Sequence, residues 1–217
     1  MNELRVALTL DAEHPDRPAP AGIAEAILEV LQRLDVPATF FIQGRWAEAY
    51  PETARAIAAG GHLVGSHSHY HARMHLLSEA GLATDIKAAE DVITSVVGVD
   101  PRPWFRCPFG AGSDDPRVIA ALDAAGYRNV GWHVAADDWE PRTAAEVEAS
   151  VVDGVLAHGD GAVVLLHTWP DRTLGGLAGA IARLRDAGAT FVRADQLDTL
   201  PTLPYWMVAG SGASSPA

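Results

Sequence analysis

The sequence predicts an α/β barrel assembled from about seven βα units, and three observations carry that prediction. Apolar runs bounded by turn residues alternate along the chain with segments whose apolar residues recur at helical spacing. The run Ala38-Thr39-Phe40-Phe41-Ile42 is too continuously apolar to keep one wet face, as expected of a parallel strand covered on both sides. No Gly-x-Gly-x-x-Gly follows the first strand, so a doubly wound nucleotide-binding sheet has no motif behind it.

Each element has its own signal. Leu4 to Asp11 is the first strand, and Ile23, Ile27, Val30, Leu31 and Leu34 mark the helix after it. Pro37 opens the second strand; a short helix from about Pro51 ends at Gly60-Gly61, and a third strand runs from His62 to Ser66. Ile86, Ile93 and Val96 share one face of the next helix. A further helix starts at Ser113 or Asp114, with Pro116 in its first turn and Gly126 beyond its end. Val130 to Val134 reads as a strand, and Thr143-Ala144-Ala145-Glu146 is a capping box opening the helix of Val147, Val151 and Val155. Ala162 to Leu166 is another buried strand, Leu174, Leu177, Ile181 and Leu184 a helix, and Thr190 to Val192 a last short strand.

A chain of 217 residues with 48% hydrophobic and 20% charged residues buries a core without disulfides, and its single cysteine, Cys107, cannot form one internally. We expect one domain over residues 1–209 and a flexible tail, too poor in apolar residues to pack, over 210–217. The net charge of −12 disfavours nucleic acid and anionic lipid as partners. No stretch reaches the roughly 18 apolar residues that membrane insertion needs. The opening MNELRVALTLDAEH turns acidic too soon for a signal peptide, so the chain as given reads as cytoplasmic.

Polar residues that the apolar pattern does not explain fall where strands end: Asp11 and Glu13, His67 and His71, Arg106, Asp138 and His167. In a parallel barrel those ends share one face, the face on which catalysis is built. His67 and His71, four apart, point the same way if they lie on a helical turn and then bind one borderline metal, with zinc the natural candidate. Taken singly, His-x-x-x-His is more often a solvated loop, Arg106 a fold-fixing ion pair, Asp138 a cap and His167 a core histidine; their common placement favours a site. His69 and His75 are bystanders by spacing, and Cys107 reads as buried packing.

Thr9-Leu10-Asp11, His67-Ser68-x-x-His71, Arg106-x-Pro108-x-Gly110, Asp138-Trp139 and Leu165-Leu166-His167 stand in the order of five motifs that the chain shares in resemblance with the polysaccharide deacetylases, carbohydrate esterase family 4. The resemblance implies a distorted (β/α) barrel and a metal-dependent hydrolase that removes acetyl groups from N-acetylated sugars. It implies Asp11 as general base, Arg106 as the group that orients it, His167 as general acid with Asp138 behind it, and the Phe109 backbone N–H as oxyanion donor. Trp139 and Leu165 would enclose the acetyl methyl.

Two departures bear on the site. The family usually has a second, metal-binding aspartate where this chain has Ala12; Glu13 offers a carboxylate on the same strand face as Asp11, so Glu13, His67 and His71 are the expected ligands. The fourth motif's leading aspartate falls at Ala135, which leaves Asp137 as an alternative to Asp138 in the hydrogen-bond network, and Arg106 as an alternative partner for Asp138. Two other classes stay open: a cyclic-amide or ureide hydrolase of the same fold group, and a non-catalytic carbohydrate-binding relative.

Overall fold

A computed structural model describes residues 3–16, 20–140, 142–204 and 207, so the tail expected over 210–217 lies outside the described residues. Among the described residues eight strands form one sheet: β1 (Leu4–Ala12), β2 (Thr39–Ile42), β3 (Leu63–Ser66), β4 (Trp104–Phe105), β5 (Arg128–Asn129), β6 (Val134–Ala135), β7 (Ala162–His167) and β8 (Ala189–Phe191). Seven of them pair in parallel in the order β5-β4-β3-β2-β1-β7-β6 and curl into a half-barrel, while β8 pairs with the start of β1. The α/β barrel-like class read from the sequence holds. Helices α1 (Ile23–Arg33), α2 (Gly44–Ala49), α3 (Pro51–Ala59), α4 (Glu79–Val97), α5 (Pro116–Ala124), α6 (Ala144–His158) and α7 (Asp171–Asp186) connect the strands. Among the described residues no helix is long and apolar enough to cross a membrane.

Strand alternation divides β1 between two jobs. Val6, Leu8, Leu10 and Ala12 join Ile27 and Leu31 of α1 and Leu177, Ile181 and Leu184 of α7 in the main core. Ala7 belongs to a separate inner cluster with Trp132, Val163 and Leu165, and Asp11 follows on that inner face. Register then gathers the site. Asp11 stands opposite Phe41 of β2 and His167 of β7, and Ser66 stands opposite Phe105, so His67 and Arg106 leave neighbouring strands together.

The capping box at Thr143 forms as expected: its hydroxyl accepts from the Glu146 N–H at 3.3 Å and Glu146 accepts from the Thr143 N–H at 2.8 Å. The cap of α5 is Asp115, one or two residues beyond the start expected at Asp114 or Ser113. The strand expected over Val130 to Val134 is not one strand, because this stretch turns from its sheet neighbours toward residues 201–204. The Gly131 N–H donates to the Pro201 carbonyl at 2.7 Å and Trp132 bridges to Pro204. A Cβ at Gly131 would come within 2.2 Å of the Leu203 carbonyl oxygen, so only glycine permits the crossing.

Candidate active site

Glu13, His67 and His71 converge at the carboxyl ends of β1 and β3. Their ligand atoms lie within 4.8 Å of one another and all three side chains are buried. Glu13 Oε2 is 3.1 Å from His67 Nε2 and 2.5 Å from His71 Nε2. The His67 Nδ1 faces the Arg106 carbonyl at 2.9 Å, and a carbonyl only accepts, so Nδ1 carries the proton. In its neutral form the ring therefore turns a bare Nε2 lone pair toward a carboxylate oxygen, an arrangement that a shared cation resolves and a hydrogen bond does not. His71 Nε2 makes the same point: it is buried, without a hydrogen bond of acceptable geometry, beside that same oxygen.

Charge states suit a cation as well. Burial pushes the His71 imidazole down to about 4 against the pull of Glu13, which leaves it neutral and ligand-ready at neutral pH. Burial alone would raise Glu13, but the His14 ring, the nearby His167 charge and the imidazoles of His67 and His71 hold it well below the usual carboxylate range. Two imidazoles and a carboxylate with atoms this close are the donor set of a divalent site with bonds of about 2.0–2.2 Å.

The histidine pair does not sit on a helical turn, which corrects the sequence-based geometry. Residues 67–73 form a loop in which Ser68 and His71 take positive φ (62° and 57°), and the rings meet at 5.0 Å. Buried Asp85 of α4 fixes that loop by accepting from the His69 and Tyr70 N–H groups at 3.1 and 3.0 Å, and Ser68 Oγ accepts from the His71 N–H at 2.9 Å. His69 instead packs on Gly44, where a Cβ would lie 2.3 Å from its Nδ1.

Two charge pairs flank the cluster. Asp11 Oδ1 accepts from Arg106 Nη1 at 2.8 Å, and Asp11 Oδ2 is 3.5 Å from His67 Nε2. Buried Arg106 also donates to the carbonyls of Val130 and Gly131, each at 3.1 Å, and stacks on Phe41 at 4.1 Å, so it is locked in place. Asp138 accepts from His167 Nδ1 at 2.7 Å, from the His167 N–H at 2.8 Å and from the Thr173 hydroxyl at 2.6 Å. Asp137 instead faces Arg142 at 3.3 Å, and Arg106 faces Asp11, so of the alternatives the sequence left open Asp138 is the residue on His167. Burial lowers the His167 pKa, but the Asp138 charge and hydrogen bond, with Glu13 and Asp11, outweigh it and raise the group to about 9.

These groups floor a cavity of about 210 Å³ walled by Phe109, Trp132, Trp139, Leu165 and Trp169. Of the six non-glycine residues with positive φ among the described residues, five (His14, Ser68, His71, Phe109 and Asp137) lie in the loops around it, the clustering of backbone strain expected where geometry serves a site. Cys107 is buried with its thiol pushed up to about 12 by desolvation, which removes it as a nucleophile. Sequence reasoning missed Thr173, Gln43, Asp85, His14, Trp132 and Trp169. Of these only His14, next to the acid that departs from the motif, carried any local signal.

Ala12 is fully buried on the core side of β1, away from the histidines. Ala12→Asp is therefore expected to place an uncompensated carboxyl in the core, lowering stability by on the order of 3–5 kcal/mol without creating a tighter divalent-cation site. Urea unfolding and zinc titration check this; a stable variant with higher zinc affinity would mean that the strand end twists to present position 12 to the site.

A family model described as polysaccharide deacetylase matches residues 1–130. The chain is 31% identical over 198 residues to the peptidoglycan-N-acetylmuramic acid deacetylase PdaC of Bacillus subtilis, covering 91% of this chain and 39% of that protein. Among solved structures it resembles a family 4 carbohydrate esterase from Streptomyces lividans in complex with acetate (TM-score 0.76, 26% identity, 87% of this chain and 91% of that one). It also resembles a CE4 family pseudoenzyme from Bacillus anthracis (TM-score 0.80, 26% identity, 90% and 66%), a mutant of which is described as having restored enzymatic activity. The chain spans 66%, 56% and 39% of the length of three curated relatives it matches.

Proposed function

The chain belongs to the polysaccharide deacetylase family, carbohydrate esterase family 4, and from that premise we propose that it hydrolyses the acetamide of an N-acetylated amino sugar, with zinc held by Glu13, His67 and His71. The observation that carries the reading is the Glu13 carboxylate, seated between the two imidazoles although the usual second aspartate is Ala12. A divalent cation in that cage supplies Lewis acidity, making water more acidic and an amide carbonyl more electrophilic.

The chain's own residues account for the rest. Asp11, aimed by its contact with Arg106, accepts a proton from the water whose oxygen adds to the amide carbon. The Phe109 backbone N–H donates to the oxygen on which negative charge develops. His167, protonated at neutral pH and held at Nδ1 by Asp138, delivers the proton on Nε2 to the nitrogen as the C–N bond breaks, giving acetate and a free amine. Trp139 and Leu165 bound the methyl end of the cavity. At about 210 Å³ it is smaller than the roughly 300–1,000 Å³ pockets that enclose a whole drug-sized ligand. An acyl group enters while the sugar stays at the mouth.

Ala12 and the likeness to a pseudoenzyme favour a second reading, a non-catalytic relative that binds sugar. Acetate release from N-acetylglucosamine oligomers and peptidoglycan fragments, measured after chelation and after adding back single metals, separates the two. The expected result is release that chelation abolishes and zinc restores; sugar binding by the metal-loaded protein with no acetate released overturns the enzyme reading.

A further inference from the structure

The two oxygens of Glu13 have different neighbours. Oε2 faces His67 and His71. Oε1 points the other way, 3.1 Å from His14 Nε2 and 3.3 Å from the indole Nε1 of Trp169, with His167 Nε2 farther off at 3.8 Å. An indole nitrogen only donates, and a carboxylate only accepts, so Trp169 gives its N–H to Oε1, while His14 Nε2 lies beside the same oxygen at ion-pair distance.

His14 is itself held in place. Its backbone takes φ 57°, a costly conformation for a non-glycine residue, and its N–H donates to the side-chain oxygen of Gln43 at 2.9 Å. The amide nitrogen of buried Gln43 donates onward to the His69 carbonyl at 3.1 Å, which ties the exit of β1 to the histidine loop. The His14 ring meets the edge of His71 with centroids 4.3 Å apart. His14 thus touches two of the three expected ligands and lies outside the three-atom cluster they form.

We propose that His14 and Trp169 are positioning residues for the metal carboxylate: by gripping Oε1 they fix Glu13 so that Oε2 alone is offered to the cation. Held in this way the carboxylate gives one bond in place of two, and coordination positions stay available for water and substrate. The pair matters here because the carboxylate sits one residue later than the family's usual ligand and leaves the end of β1 on a longer side chain. A glutamate has one more rotatable bond than an aspartate, and two partners on its far oxygen remove that freedom.

The proposal rests on Glu13 being a ligand, and the test separates the two. Zinc affinity of the full chain is measured by competition with a chromophoric chelator, without reference to turnover, for Glu13→Ala, His14→Leu, His14→Gln and Trp169→Phe. Loss of such supporting contacts typically weakens metal binding about 10–100-fold, so His14→Leu is expected in that range and Trp169→Phe at its lower end. His14→Gln, which keeps an N–H donor at similar reach, is expected to recover affinity to within about 3-fold of wild type, an outcome that simple loss of packing does not produce. Far-ultraviolet circular dichroism establishes that each variant is folded, and the near-isosteric Trp169→Phe and His14→Gln carry the test if His14→Leu is not. Wild-type affinity in both His14→Leu and Trp169→Phe with Glu13→Ala impaired overturns this proposal alone. Zinc affinity in His14→Gln as weak as in His14→Leu overturns it too, and makes His14 a ligand or a packing residue. Unchanged affinity in Glu13→Ala overturns the premise.

Discussion

Asp11→Asn and His167→Ala are each expected to cut kcat for acetate release by about 10²–10⁴-fold while fold and zinc content stay near wild type. Asparagine keeps the shape of Asp11 and its contact with Arg106 Nη1 but cannot take a proton from water. Alanine removes the only group at the cavity that the structure holds protonated at neutral pH by a dedicated acid partner, among the described residues. The two losses differ in pH dependence. Wild-type activity is expected to fall on the alkaline side as His167 loses its proton, below its metal-free value of about 9, because a bound cation offsets the Glu13 and Asp11 charges that help to raise it. His167→Ala is expected to lose that limb and Asp11→Asn to keep it. For the metal-free fold the sign is that of a raised group: the stability His167 contributes is complete below about 6.5 and is lost as pH rises through about 9. Near-normal turnover in both variants would defeat the acid–base assignment, whereas zinc loss from Asp11→Asn would make Asp11 a ligand.

Much of this arrangement was legible in the sequence because it depends on strand periodicity. Asp11, His67, Arg106 and His167 each follow or end an apolar run, and a parallel register brings such ends together whatever their separation in the chain. Glu13 was legible for the same reason, since a period of two sets it on the Asp11 face and sends Ala12 into the core. What stayed hidden depends on contacts with no sequence period. Thr173 reaches Asp138 from the first turn of α7, and Asp85 reaches the histidine loop from α4. The split of β5 from β6 depends on residues some 70 positions later, Pro201 to Pro204, running beside Gly131, and an apolar Val130 to Val134 gives no hint of that. The histidine spacing suggested a helical turn, whereas positive φ at Ser68 and His71 in a capped loop produces the convergence.

Glu13→Ala is expected to weaken zinc binding by more than the roughly 10–100-fold that loss of a supporting contact costs, and with it to abolish metal-dependent acetate release. Among the described residues Glu13 is the only carboxylate in the His67 and His71 cluster, so its removal takes away a ligand atom and the charge that balances the cation. Nothing nearby replaces it cheaply. Asp11 Oδ2 is 3.5 Å from His67 Nε2, but its other oxygen is bound to a buried Arg106 that also donates to two carbonyls, so moving Asp11 onto the cation would strip a buried guanidinium of its partner. If Asp11 moves nonetheless, the variant retains zinc and loses its base, and zinc content with acetate release measured on one sample distinguishes that outcome from loss of the metal. Equal zinc affinity and equal turnover in folded Glu13→Ala and wild type would reject Glu13 as the residue that takes the place of the missing aspartate.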